Sequence, residues 1–128
     1  MPDPAATDTT KPQPPLATVL VDRVARDVVV LQVSGELDTT SAVELVRPLE
    51  THLVDANRAV IVDLGGVRFL GSAGLEALVV GQQRAKEHDV EFLLVAGSRA
   101  ALRPIQATGL DAVFTIVGST SEAVERFV

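Results

Sequence analysis

Five short runs of apolar and β-branched residues constrain the fold of this chain more than any other feature of its sequence. They are Ala17–Val21, Val28–Val33, Ala59–Leu64, Glu91–Ala96 and Val113–Val117. Runs of this length and composition are typical of strands buried in a sheet. Only a short polar segment separates the first two runs, so we expect a hairpin through Arg26 and Asp27.

Segments with helical spacing separate the later runs. The residues that would share a helix face are Val43, Val46, Leu49 and Leu53 in the first segment and Leu75, Leu78, Val79, Gln82 and Ala85 in the second. Pro48 predicts either a kink in the first helix or two shorter helices. Arg99 to Thr108, ended by Gly109, predicts a third helix, and a short fourth helix is expected after Ser119 or Thr120.

The predicted order of elements is β-β-α-β-α-β-α-β-α. A helix between two neighbouring strands carries the chain back across the sheet, so the later strands are expected to be parallel. We therefore predict an α/β fold in which a mixed central sheet of about five strands is covered mainly on one face by about four helices. A chain of 128 residues has room for one such domain.

The first part of the chain has a different composition. Met1 to Pro15 is rich in Pro, Thr and Asp and poor in large apolar residues, so it buries too little surface to offset the entropy lost on ordering. We predict a disordered tail over residues 1–15 and a folded domain over residues 16–128. The first apolar stretch, Leu16–Val21, is short and follows prolines rather than basic residues, unlike a secretory signal, and we expect a cytoplasmic protein.

The amino-acid composition of the chain limits the kinds of molecule that it is expected to bind. Cysteine is absent, which excludes disulfides, thiol catalysis and Cys-rich zinc sites. The net charge of −6 disfavours nucleic acid, which proteins bind through clustered Lys and Arg. Charged residues or glycine interrupt every apolar run before the roughly 20 residues that cross a bilayer. We therefore expect a protein partner, without nucleic acid or membrane.

A glycine-rich segment joins the third strand to the longest predicted helix, and we expect a loop over Gly65–Gly71. A P-loop is excluded because Ser72 stands where Lys is required after the second glycine. A nucleophile elbow requires glycine where Leu70 stands, and the dinucleotide fingerprint lacks its first glycine. The glycines by themselves therefore identify no nucleotide site or catalytic site.

Catalytic machinery is also missing from the rest of the sequence. Its two histidines, His52 and His88, have no acidic partner in a convincing triad order. We predict no catalytic residues, no cofactor and no metal. An enzyme or a small cofactor-binding α/β protein, suggested only by the element order and the glycines, remains the least favoured alternative.

Ser72 stands at the expected start of the longest helix among small neighbours. One interpretation is that its hydroxyl faces outward, where another protein can reach it. The alternative is a helix N-cap, although the acid of a capping box would then fall on Leu75. Residue type and position alone leave both interpretations open.

Two motifs in the sequence indicate a protein family. Gly35-Glu36-Leu37-Asp38 and the segment Asp63-Leu64-Gly65-Gly66-Val67-Arg68-Phe69-Leu70-Gly71-Ser72-Ala73-Gly74-Leu75 resemble the STAS domain of bacterial anti-sigma factor antagonists. Gly109-Leu110 before Val113-Phe114 is similar to a later turn of that family. The resemblance covers the chain from about Ala17 to Val128, and two motifs at the family's separation are more specific than either alone.

The resemblance implies a regulatory protein without catalytic activity. Such an antagonist binds an anti-sigma factor that is also a serine protein kinase, frees a sigma factor and so regulates transcription, as in stress responses. The phosphorylation site would be Ser72. The residues that the resemblance assigns to partner binding are Glu36, Asp38, Thr39, Arg68, Gly71, Ser72, Ala73 and Gly74. For Asp38 the alternative role is helix capping, and for Arg68 it is simple exposure to solvent.

The motif departs from the family pattern at its centre. In many members the phosphorylated serine directly precedes the glycine, a position that Ala73 occupies here, and Gly71 stands in place of an Asp. Ser72 is then the hydroxyl left in the motif. Either Ser72 accepts the phosphate, or the protein is a constitutive STAS interaction or ligand-sensing module. We expect a monomer or a weak dimer.

Overall fold

The computed structural model describes residues 16–128, and the predicted tail over residues 1–15 lies outside the described residues. The strands are β1 (Ala17–Ala25), β2 (Val28–Leu37), β3 (Ala59–Leu70), β4 (Glu91–Val95) and β5 (Thr115–Val117). The α-helices are α1 (Val43–His52), α2 (Ser72–Glu87), α3 (Arg99–Ala107) and α4 (Thr120–Glu125), and Leu110–Ala112 forms a 3₁₀ turn. This order confirms the predicted succession of strands and helices.

The strands form one mixed sheet in the order β1-β2-β3-β4-β5. β1 and β2 are antiparallel, because a tight turn joins them after Ala25, and each later neighbour is parallel. Each parallel pair is linked by a helix, as such a connection requires. All the parallel strands therefore end at the same edge of the sheet.

Helices α1, α2 and α3 cover one face of the sheet. The fully buried side chains that they share with the strands include Leu31, Leu45, Leu64, Leu78, Leu94 and Ile105. Burial of each such side chain contributes about 1.5–3 kcal/mol. The short α4 packs Ala123 against Val28, Ile61 and Leu93 on the opposite face. The prediction that helices cover mainly one face is thus confirmed.

The predicted loop over Gly65–Gly71 is wrong, because β3 continues through this segment to Leu70. It pairs with an equally extended end of β2, and two irregularities in the register absorb the extra residues. Glycine allows the close approach: a Cβ at Gly66 would lie 2.7 Å from Oγ of Ser34. The glycines therefore lengthen the sheet instead of forming a ligand-binding loop.

Two further boundaries differ from expectation. α1 is a single helix with Pro48 inside it, so the division into two helices is wrong. The last strand begins at Thr115 rather than Val113, since Gly109 adopts a φ of 75° and the 3₁₀ turn follows it. That turn places Phe114 in the core with 6% of its surface exposed.

Gly35 holds the start of β1 against the end of β2. Its φ is +96°, which L side chains rarely adopt, and a Cβ there would lie 2.1 Å from the carbonyl oxygen of Leu16. The neighbouring amide of Glu36 donates a 2.8 Å hydrogen bond to that same carbonyl. A side chain at position 35 would therefore break both the backbone conformation and this contact.

We predict that Gly35→Ala lowers the free energy of unfolding by about 2 kcal/mol or more, since strain and a backbone clash act together. Chemical denaturation followed by circular dichroism measures this. Gly109→Ala, which has a positive φ but nothing within 4 Å of the new Cβ, should cost less. Gly97→Ala, with open space and no positive φ, is the control, and an equal loss in all three would contradict the prediction.

Candidate functional site

The motif residues meet at the edge where the parallel strands end. Leu37 at the end of β2 pairs with Leu70 at the end of β3. The amide of Gly71 then donates a 2.9 Å hydrogen bond to the carbonyl of Leu37. The next residues are Asp38 on one chain segment and Ser72 on the other, so the structure brings the two motifs of the sequence together.

Asp38 organises the turn that leads into α1. Its Oδ1 accepts hydrogen bonds of 2.9 Å from the amides of Thr40 and Ser41 and from the hydroxyl of Thr40. The buried Ser41 accepts a 2.9 Å bond from the amide of Asp38. These bonds favour the ionised carboxyl, first of all the one from the Ser41 amide, so the pKa of Asp38 is lowered from its ordinary value. Asp38 therefore caps the turn that precedes α1 and not the helix itself, whose N-cap position belongs to Ala42 without a side-chain hydrogen bond.

Ser72 is the first residue of α2, and the N-cap position belongs to Gly71. The interpretation of Ser72 as an N-cap is therefore wrong. The side chain is exposed, and within residues 16–128 its hydroxyl makes no hydrogen bond. Because no acidic side chain occupies the first turn, the helix start carries uncompensated amide groups beside this hydroxyl.

Small residues after Ser72 let α2 begin directly against the sheet. Gly74 is buried, and a Cβ on it would lie 2.7 Å from Cδ1 of Leu70 and 2.9 Å from Cβ of Leu37. Gly71 is partly exposed, and its Cα faces the ring of Phe69. Close packing thus explains why a glycine stands at position 74. The assignment of Gly74 to partner binding stays a prediction.

Charged and polar side chains at and just after the ends of β2 and β3 are exposed and weakly held. Thr39 is exposed, and Arg68 lies on the outer side of β3, with its Nη2 3.9 Å from Oε2 of Glu36. The side chains of this pair are 75% and 47% exposed, so the ion pair adds little to stability. These residues are free to exchange their present contacts for contacts with a partner.

An apolar groove between α1 and α2 lies next to the serine. It holds about 310 Å³ and is lined by Val46, Leu49, Glu50, Ala73, Glu76, Ala77, Val80, Gly81 and Arg84. Val80 is 54% exposed, which is high for a side chain of its size in a helix that also contributes to the core. Sequence analysis missed this groove, because residues from two separate helices form it. One signal was present in the sequence: Val80 is apolar but lies outside the predicted core face of its helix.

Asp63, the first residue of the longer motif, has a structural role. Its Oδ1 accepts a 2.9 Å hydrogen bond from the amide of Gly65, and its Oδ2 accepts a 3.0 Å bond from the hydroxyl of Thr120. It therefore stabilises the irregular part of β3 and attaches α4 to the sheet. Sequence analysis assigned it no role of its own.

Residues 16–128 show neither of two other kinds of site. No helix in this range combines the length and the apolar character of a membrane span. In the same range, no three His, Asp or Glu side chains converge as metal ligands.

Comparison with known proteins agrees with this geometry. A family model described as the STAS domain matches residues 20–123. The chain belongs to the STAS domain family. RsfB of Mycobacterium tuberculosis, named an anti-sigma-F factor antagonist, is 33% identical over 97 residues, which are 76% of this STAS chain and 79% of RsfB.

Solved structures show the same STAS fold. The crystal structure of an anti-sigma factor antagonist from Mycobacterium paratuberculosis superposes with a TM-score of 0.79 at 33% identity, covering 89% of this chain and 96% of that one. The Bacillus cell fate determinant SpoIIAA in its phosphorylated form superposes with a TM-score of 0.68 at 20% identity, covering 87% and 100%. The predicted family and fold class are thus confirmed.

We predict that Asp38→Ala lowers the melting temperature of this STAS domain at pH 7, because the amides of Thr40 and Ser41 lose their acceptor. The folded-state pKa of Asp38 lies below its ordinary value, so the contribution is present above that value and is lost as pH falls through the folded pKa. The difference in melting temperature between wild type and variant should therefore disappear in acid. Thermal melts across pH measure it, with the exposed Asp22→Ala as control; a gap that persists in acid would contradict the assigned cause.

Proposed function

We propose that this STAS domain is an anti-sigma factor antagonist that binds an anti-sigma factor of the serine kinase type and is released when that kinase phosphorylates Ser72. It acts by binding, without catalysis of its own, and frees a sigma factor in the cytoplasm. The observation that carries the proposal is the exposed hydroxyl of Ser72 at the start of α2, in a chain 33% identical to a protein named an anti-sigma-F factor antagonist.

Access to the hydroxyl supports Ser72 as the acceptor. A kinase requires a serine oxygen that reaches its active site, and this oxygen makes no hydrogen bond within residues 16–128 that would have to be broken. Ala73 holds the family's usual acceptor position and has no oxygen to phosphorylate. Its side chain lines the groove between α1 and α2 instead.

The fold should tolerate a phosphate at this position. Phosphorylation adds a charge of about −1.5 to −2 at pH 7. The free amides and the dipole at the start of α2 favour an anion by about 0.3–1 kcal/mol. Phosphorylation would therefore act on the partner complex and leave the domain folded.

The surroundings explain how a phosphate would weaken binding. Ser72 directly precedes Ala73, which lines the groove, and follows the end of β3, where Arg68 is exposed with its long contact to Glu36. A partner that covers this face must remove the phosphate from water, and the cost of desolvating two charges exceeds what a neutral serine requires. Glu76, one turn further along α2, adds a like charge.

We predict that Ser72→Glu weakens binding to the cognate anti-sigma kinase at least tenfold, while Ser72→Ala binds like wild type and resists labelling by kinase and ATP. Titration calorimetry measures the affinity, and mass spectrometry of the domain after incubation with kinase and ATP locates the phosphate. Ser121→Ala, an exposed serine in the first turn of α4, is the matched control and should change neither result.

Two results would contradict this mechanism. Phosphate that appears on Ser72→Ala in equal amount would remove Ser72 as the acceptor. Unchanged affinity of Ser72→Glu would remove the charge mechanism, even if the domain binds the kinase. Failure of the wild-type domain to bind any anti-sigma factor of its own organism would reject the proposed function as a whole.

A constitutive STAS module is the second candidate, favoured by Ala73 at the usual acceptor position and by Gly71 in place of an acid. It predicts a complex that forms with the anti-sigma factor and persists when ATP is added. Size-exclusion chromatography of the complex with and without ATP separates the two candidates. Dissociation on addition of ATP would reject this one.

A further inference from the structure

A strongly basic depression lies where the end of β3 meets the start of α3, a few residues before Ser72 in the chain. We call Arg68, Phe69, Arg99 and Arg103 the arginine patch. These side chains line a depression of about 420 Å³, and Leu70 and Pro104 complete its apolar wall. Phe69 is 49% exposed, although it is one of only four aromatic residues in the chain.

The fold brings the patch together from two distant segments. Arg68 and Phe69 belong to the extended end of β3, and α3 begins beside them at Arg99. The hydroxyl of Ser98, the N-cap of α3, lies 3.3 Å from the carbonyl oxygen of Val67, which places the start of α3 against β3. The first and last arginines of the patch therefore share one surface.

The positions of Arg99 and Arg103 destabilise α3 locally. Arg99 is the first residue of α3, where the helix dipole disfavours a cation, and Arg103 follows at i+4, where two like charges repel. Within residues 16–128, neither has a carboxylate oxygen within 4.0 Å. Arg68 has only its long contact with Glu36. A partner that supplies carboxylates would relieve this repulsion.

The arginine patch is basic, although the chain as a whole is acidic. The protein has 17 acidic and 11 basic residues, yet three of those basic residues line this one depression. Arginine and aromatic side chains, phenylalanine among them, are enriched in protein–protein interfaces relative to the rest of the surface. The complement of the patch is a segment with two or more carboxylates and one apolar side chain that fits against Phe69.

The arginine patch is continuous with the face around Ser72. Only Leu70 and Gly71 separate Phe69 from Ser72 along the chain, and a Cβ on Gly71 would lie 2.9 Å from Cε2 of the Phe69 ring. A protein docked over Ser72 is therefore in contact with the ring or close to it. The patch extends the same docking face across α3.

We propose that the arginine patch binds an acidic segment of the anti-sigma factor and steers it onto the face that contains Ser72. This inference rests on the proposed function, because its partner is the protein that binds at Ser72. Complementary charges accelerate encounter and make the association rate depend on ionic strength. The patch thus governs how fast the complex forms, whereas Ser72 governs whether it persists.

The test compares Arg99→Glu/Arg103→Glu with Arg26→Glu/Arg126→Glu, a pair of exposed arginines outside the patch with the same change in net charge. Surface plasmon resonance with the cognate anti-sigma kinase is run from 50 to about 500 mM salt, a range over which screening shortens to a few ångströms. We expect the patch variant to associate at least tenfold more slowly at low salt and to lose most of the salt dependence. The control should stay within about threefold of wild type, as expected for charges remote from an interface.

Unfolding does not obscure the result: Glu at position 99 suits the helix dipole, and two glutamates at i and i+4 repel about as much as the two arginines they replace, so the variant should be about as stable as wild type. If the patch variant associates like wild type while Ser72→Glu does not bind, the arginine patch is rejected and the proposed function stands. If wild type binds no anti-sigma factor, both are rejected. Retention of a DNA duplex that depends on Arg99 and Arg103 would assign the patch to nucleic acid and overturn the proposal.

Discussion

The pairing of the ends of β2 and β3 is the constraint on which the rest of this structure depends. Leu37 pairs with Leu70, and the amide of Gly71 donates to the carbonyl of Leu37. This contact aligns two segments that are more than thirty residues apart in the sequence. Without it, the turn held by Asp38 and the start of α2 at Ser72 would not form one surface.

The same pairing explains the use of glycine. Gly35 accepts a positive φ beneath the carbonyl of Leu16, and Gly66 lets β3 approach Ser34. Gly74 lets α2 begin against Leu37 and Leu70. Each removes a side chain where backbones must come close, so the glycine-rich character of the motif reflects packing at the end of the sheet rather than a cradle for phosphate.

Regulation at this face would combine two electrostatic effects of opposite sign. A phosphate on Ser72 would be tolerated by the free amides of α2 but would oppose a docked partner. The arginine patch would favour an acidic partner from the adjacent side. On this proposal, different residues of the same small domain would set the affinity and the association rate, because they lie on neighbouring parts of one surface.

The sequence by itself determined the succession of strands and helices, the family, and the place of Ser72 at a helix start, because these depend on local periodicity and on motifs continuous in the chain. Tertiary structure alone decided that the segment from Gly65 to Leu70 is strand, since it pairs with the extended end of β2. It also decided that Arg68 meets Arg99 and Arg103, and that Val80 lines a groove with Val46. Contacts of this kind join residues from separate elements, and no local pattern in the chain records which elements will lie side by side.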